Sequence, residues 1–351
     1  MATPDILGLE VPIGAIEARL RKLWEADQAS TKASLINFAV YSESPDALAA
    51  NTALLAEITR DHSCRALLIG ARLDHPDSNA RAWITAHCHL AGGRKSVCSE
   101  QIAFQLDGKA IGRIRNVVFA HLESDLPVVL WWQGEFSRIF EPRLLGLVDR
   151  LIFDSATWGD FAAQYRMFAE ALRLLPDRLA VHDLEWTRTY QLRLALAALF
   201  DDPAAAARLP DIAQVRIAHH PKHRIAALYL AAWLAERLGW QGGLVLGNLD
   251  LRNGSRALRV ELAPAESASG PIAALELTTE DAACFAVERD PGTPYYRTRS
   301  GPCASPHRGL SPADPDSLVR LVSAQLERAG TNTLFRRILP VFTRLAGTES
   351  A

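Results

Sequence analysis

Between Pro127 and Gly134 lie five consecutive large apolar residues, Val128–Trp132. Successive strand residues point to opposite faces, so Val128, Leu130 and Trp132 go one way and Val129 and Trp131 the other. With both faces apolar, the run predicts an internal, parallel strand covered on both sides. Its carboxyl end carries Trp132 and Gln133–Glu135, where open α/β sheets place their ligand crevice. Upstream, Ile13, Ile16, Leu20 and Leu23–Trp24 recur at helical spacing opposite Glu17, Arg19, Arg21 and Lys22, which predicts an amphipathic helix. Strands are expected over 34–41 and 66–72, with a helix opened by Ser44-Pro45-Asp46 between them.

Two alternating runs, 81–90 and 96–106, flank Gly92-Gly93 and read as a hairpin. Their apolar sets share one face only if Cys88 lies opposite Cys98, Ile84 opposite Ile102 and Ala86 opposite Glu100. The turn is then Gly92-Gly93-Arg94. A helix over 109–123, a short helix over 139–148, a strand over 150–154 and a helix over 158–175 complete the first half. Strands alternating with helices around one hairpin predict a mixed sheet with helices on both faces. Pro176-Asp177-Arg178 is the expected domain boundary, giving α/β domains at 1–176 and 177–351.

The second half opens on Asp183-Leu184-Glu185-Trp186-Thr187-Arg188 and a helix ending near Phe200. A strand over 212–218 leads through Pro221 into a helix that Gly239 stops. From 244 to 299, strand-like runs punctuated by Asn253-Gly254, Gly270-Pro271 and Pro291-Gly292 predict an antiparallel meander. Two helices, 317–328 and 333–345, close the chain.

Composition narrows the function classes. The 38 Lys+Arg against 40 Asp+Glu leave about −2, so no basic footprint for nucleic acid or for an anionic membrane is expected. No apolar run approaches the roughly 20 residues of a membrane span, and the first residues lack the basic and apolar regions of a secretory signal. Five cysteines without a CxxC pair suit a reducing, cytoplasmic setting. Cys88 and Cys98 are accordingly expected as free thiols packed as small hydrophobes.

No G-x-G-x-x-G, Walker loop, H-E-x-x-H or G-x-S-x-G is present, so no catalytic residue, cofactor or metal is assigned. His87 and His89 share a strand face and could supply at most two metal ligands; solvated histidines are the simpler reading. His220, Lys222 and Arg224 lie where a strand meets a helix, and could form an anion site or an ordinary basic helix start. Glu100 faces the core and needs an Arg or a helix end, unless it is a buried acid. Arg297 and Arg299 alternate on one face beside Tyr295-Tyr296, a composition common at interfaces.

Several blocks taken in order carry a resemblance to the OpcA family of glucose-6-phosphate dehydrogenase assembly proteins. They are Val97–Ile102, Asp125–Glu135, Asp149–Ser155, Asp183–Arg188 and Trp233–Trp240. Where the family pattern has Pro-Trp-Arg, this chain has Gln191-Leu192-Arg193, so only the arginine carries over. The resemblance implies a non-catalytic partner that promotes assembly or activity of glucose-6-phosphate dehydrogenase in the oxidative pentose phosphate pathway. The nicotinamide and the sugar phosphate would belong to that enzyme. Trp132, Gln133, Glu135, His220, Lys222, Arg224, Arg297 and Arg299 are the candidate partner- or ligand-binding residues. The alternative is a sugar-phosphate sensor or enzyme using Trp132–Glu135 together with Lys222–Arg224.

Overall fold

A computed structural model of the chain describes residues 4–27, 31–32, 34–91, 94–175, 179–245, 248–266, 268–328, 330 and 332–347. The chain is α/β throughout and divides into two units, 1–182 with 322–331, and 183–321 with 332–351. The expected boundary at Pro176-Asp177-Arg178 lies outside the described residues. Among the described residues, no helix is long and apolar enough to cross a membrane.

The first unit holds nine strands: β1 Leu9–Val11, β2 Thr31–Lys32, β3 Ile36–Ser42, β4 Cys64–Arg72, β5 Asn79–Ala91, β6 Arg94–Asp107, β7 Val128–Trp132, β8 Arg150–Phe153 and β9 Ala180–Asp183. They are ordered β1-β5-β6-β4-β3-β7-β8-β9, with β2 beside β6. β6, β4, β3, β7 and β8 run parallel, while β5 and then β1 extend one edge through antiparallel pairings. The Val128–Trp132 run is the internal parallel strand that its two apolar faces predict. Every residue of β7 is buried, as are 37–42 and 64–71. Asn37, wholly buried, bonds Glu123 O, Leu126 O and Glu123 N at 2.9–3.0 Å, tying the segment before β7 to β3.

The hairpin adopts the expected register, Cys88 opposite Cys98, Ala86 opposite Glu100 and Ile84 opposite Ile102. A register shift between His89 and Leu90 pairs Ala91 with Arg94, so Arg94 belongs to the strand and not to the turn; Gly92-Gly93 lie outside the described residues. Cys88 and Cys98 are joined by a disulfide, which corrects the expectation of five free thiols. Their Cα atoms stand 4.1 Å apart, nearer the roughly 4.5 Å of a non-hydrogen-bonded pair than the 5.5 Å of a bonded one. At that approach the sulfurs meet. The helix expected over 109–123 is instead three short turns, Gly108–Arg113, Ile114–Val117 and Phe119–His121.

The second unit carries β10 Ile212–His219, β11 Gln241–Val245, β12 Asn248–Asn253, β13 Arg256–Pro264, β14 Ile272–Thr279, β15 Ala283–Arg289, β16 Tyr295–Pro302 and β17 His307–Pro312. Their order is β11-β12-β13-β10-β14-β15-β16-β17. The antiparallel meander is therefore split: β10 enters its middle, parallel to β13 and antiparallel to β14. The helix Arg224–Leu238 makes this possible by carrying the chain away from β10. It buries ten consecutive residues, Ala226–Ala235, and ends at Gly239 in the left-handed region, φ 68°. Val215, Ile217, Leu275, Leu277, Phe285 and Val287 form the sheet's buried face, while Arg216, Glu261, Glu276 and Glu288 alternate onto the other.

Candidate functional site

At the carboxyl ends of β3 and β7, neighbours whose connections run in opposite directions, an open α/β sheet places its crevice. Here protein side chains fill it. Trp132 is fully buried, its ring 4.2 Å from that of Tyr41, and its indole N–H donates to Glu135 O at 2.9 Å. The amides of Gln133 and Asn51 bond each other reciprocally at 2.8 and 2.9 Å, and Gln133 N–H donates to Tyr41 O. Tyr41 donates its hydroxyl to Glu43, and burial pushes the phenol far above its ordinary range. Gly134, with φ 79°, turns the chain out of the strand. Exposed Glu135 then accepts from Gly159 N–H at 2.7 Å and Asp160 N–H at 3.3 Å, at the start of the helix Phe161–Leu174.

The basic start of helix 224–238 lies in the second unit. Its Ala226 N–H is taken by the buried Glu185 carboxylate at 3.1 Å, which also bonds His223 at 2.7 Å and Arg188 at 3.2 Å. His220 caps the preceding turn by accepting from Lys222 N–H at 3.2 Å. The helix end that could have received an external anion is therefore capped in part by a carboxylate of its own unit. Lys222 and Arg224 remain exposed, and neither makes an ion pair among the described residues.

Arg297 and Arg299 project from the open face of the second sheet. Arg297 pairs with Asp290 at 2.6 Å and Arg299 stands 3.9 Å from Glu288. Arg299 lies directly opposite Arg308 on β17, and with exposed Leu310 these residues line a depression of about 510 Å³.

His87 and His89 are half-buried rather than solvated. His87 Nε2 meets Gln101 at 2.9 Å and His89 Nε2 meets Thr59 at 3.0 Å, and burial holds both below the ordinary histidine value. Neighbouring helix residues cover the face that the alternation pattern left open. Among the described residues, no group of three or more His, Cys, Asp or Glu is placed to hold a metal ion.

Glu100, 2% exposed, has an arginine partner: Arg65 Nη1 lies 3.1 Å away. The same guanidinium also pairs with Glu123 at 2.8 Å and with Glu17, and Trp24 donates its indole N–H to Glu100. One buried arginine thus holds three carboxylates and fixes the amphipathic helix Ile16–Asp27 to β4 and β6. The sequence carried a signal for it, a lone charge opening the otherwise apolar 66–71. In the second unit Arg193 stacks over Trp186 at 3.3 Å, and buried Asp314 accepts from Gln191 N–H, Leu192 N–H and the Tyr296 hydroxyl.

The family model described as glucose-6-phosphate dehydrogenase subunit N-terminal domain matches residues 55–170, and its C-terminal counterpart matches 179–339. A protein of Synechococcus elongatus named "Putative OxPP cycle protein OpcA" is 25% identical over 306 residues, 81% of this chain and 68% of that one. A protein of the same name from Synechocystis is 25% identical over 189 residues, 52% of this chain but only 38% of its own length. Among solved structures, an oxidoreductase domain protein from Kribbella flavida has a TM-score of 0.47 at 7% identity, covering 87% of this chain and 90% of that one. Myo-inositol 2-dehydrogenase from Lactobacillus plantarum has a TM-score of 0.40 at 9% identity, covering 88% and 90%. Two models of one family, matched in order along most of the length, place the chain in the OpcA family.

Proposed function

We propose that this chain is a non-catalytic assembly factor or activator of glucose-6-phosphate dehydrogenase, acting in the oxidative pentose phosphate pathway. The observation that carries the reading is the pair of family matches over 55–170 and 179–339, both described as domains of a glucose-6-phosphate dehydrogenase subunit. Local geometry supports it. The crevice at the ends of β3 and β7 is occupied by Tyr41, Trp132 and the Asn51–Gln133 pair, so a small substrate would have to displace satisfied polar groups. The dehydrogenase then supplies the nicotinamide and sugar-phosphate sites, and this chain supplies surface.

The test is a titration of the purified chain into the glucose-6-phosphate dehydrogenase of the same cell. The expected result is a rise in that enzyme's activity or in its oligomer population, with no dehydrogenase activity from this chain alone. If both quantities stay flat over a wide range of added protein, the reading fails. Exposed Lys222 and Arg224 keep the second reading, a sugar-phosphate sensor, in play. Saturable binding of glucose 6-phosphate to the isolated chain, lost on Lys222→Glu, would favour it.

A further inference from the structure

β12 and β13 pair only from Asp250 opposite Arg259 to Asn253 opposite Arg256, whereas β13 stays paired with β10 as far as His219 opposite Pro264. Among the described residues, β13 has no pairing on the β12 side from Val260 onward. β12 stays paired with its other neighbour, β11, from Arg252 back to Asn248, with Leu249 opposite Leu244. Where the strands part, a notch of about 460 Å³ opens, lined by Arg224, Leu244, Leu249, Arg259, Val260, Glu261 and Leu262.

Three features of the notch point in one direction. Backbone N–H and C=O groups along a sheet edge that lacks a neighbour are a template for another strand. Val260 and Leu262 lie opposite Val215 and Ile217, and so belong to the sheet's apolar face, yet both remain half-exposed, as do Leu244 and Leu249. Arg224 and Arg259 are exposed, and neither makes an ion pair among the described residues, Arg259 included although Asp250 lies opposite it on β12, while the one acid in the lining, Glu261, stands 3.8 Å from Arg216.

We propose that this notch receives an extended, acidic segment of a protein partner, added as a strand beside Val260–Pro264. The inference refines the reading of the previous subsection, whose partner enzyme would supply the segment. Strand addition takes its affinity from main-chain bonds and its specificity from alternate side chains. Apolar side chains on one face of the incoming strand would cover the four aliphatic residues, and acids on the other would meet Arg259, with Arg224 at the helix side. A second copy of this chain is the less favourable occupant, because it would bring two more arginines against these two. A small anion would leave the aliphatic floor uncovered, and the nearby Ala226 amide is already taken by Glu185.

The experiment has two arms. In the first, the wild-type chain and the Arg224→Glu/Arg259→Glu variant are titrated into the cognate dehydrogenase, with circular dichroism as a control for folding. The expected result is at least a tenfold rise in Kd for the variant, and hydrogen-exchange protection of the Val260–Leu262 amides in the wild-type complex. In the second arm, a labelled peptide alternating valine and glutamate is compared with one alternating valine and lysine. Saturable binding of the glutamate peptide alone, lost in the variant, is expected. If the dehydrogenase binds wild type and variant equally and those amides stay unprotected, the inference is overturned while the assembly reading stands. If the dehydrogenase does not bind but the glutamate peptide does, the assembly reading falls and the notch stands. Binding of neither peptide, or a wild-type dimer that the variant abolishes, overturns the inference.

Discussion

Arg65 illustrates how a single residue organises a buried site. Its side chain is 4% exposed and faces Glu17, Glu100 and Glu123. Removing one member of a buried ion pair costs about 3–5 kcal/mol, because the partner is left as an uncompensated buried charge. Arg65→Ala is expected to lower unfolding stability by that amount in a urea titration, and adding Glu100→Gln should recover part of the loss. An unchanged midpoint would mean the carboxylates find water instead. The thiols give a second expectation at this scale. Burial pushes Cys64 up to about 12 and Cys284 up to about 11, while Cys303 is exposed. An aromatic disulfide reagent should therefore label Cys303 in the native protein, Cys64 and Cys284 only after unfolding, and Cys88 and Cys98 only after reduction. Labelling of Cys88 without reductant would refute the disulfide. His182 adds a pH dependence. Burial, reinforced by Arg150 and Arg328, holds it down to about 3. Because this lies below its unfolded value near 6.5, the unfolded chain binds the extra proton, and stability present above pH 6.5 is lost as pH falls toward 3. The slope is up to about 1.4 kcal/mol per pH unit. His182→Asn should flatten the limb of the stability curve between pH 6 and 4.

At the scale of elements, β7 holds its neighbours through both faces. Trp131 is 3% exposed and stacks near Phe38, while Trp132 lies under Tyr41, Phe136 and Phe140. Trp131→Ala and Trp132→Ala should each lower stability by about 3–5 kcal/mol. A variant that keeps its denaturation midpoint but loses the dehydrogenase would make that tryptophan a contact residue instead. Such elements were legible because their pattern is local. A strand apolar on both faces admits one environment, and the hairpin's two alternating sets admit one register, which the pairing of Ile84 with Ile102 reproduces. Other features depend on information that periodicity lacks. Alternation over 212–218 and 256–264 marks two strands but says nothing of their pairing, so the parallel entry of β10 beside β13 could not be read. The apolar spacing of 109–123 fits a helix, yet it equally serves the three short turns that form. The disulfide escaped for a similar reason. The register put Cys88 opposite Cys98, but the 4.1 Å approach is set by which type of pair they occupy. Of the candidate residues, the sequence placed Trp132 in the core and the basic run at a helix start; Glu185, which caps that start, is 41 positions from Ala226 and carries no local mark.

Across the whole molecule, the chain does not simply finish one unit and begin the next. Residues 322–331 return to the first unit after most of the second has been built. The packing says why. Arg150 at the start of β8 donates to Gln325 O, and Gln325 also bonds His182. Leu326 and Glu327 line a cavity of about 380 Å³ with Ile36, Pro127, Arg150 and Ala180, at the amino ends of β3, β7, β8 and β9. Val322 is fully buried and Gln325 is 1% exposed. A fragment ending at His182 would lose this cover and leave the Arg150 side chain without its carbonyl acceptor, at a cost of order 1–3 kcal/mol for that group alone. Fragment 1–182 is accordingly expected to unfold at a lower urea midpoint than the same fragment joined through a flexible Gly-Ser linker to residues 318–331. The linked form should also bind less of a dye that reports exposed apolar surface. Such a linker costs little, because loop-closure entropy grows only slowly with length. Equal midpoints and equal dye binding for the two fragments would mean that the returning segment is an ornament of the first unit and not part of its core.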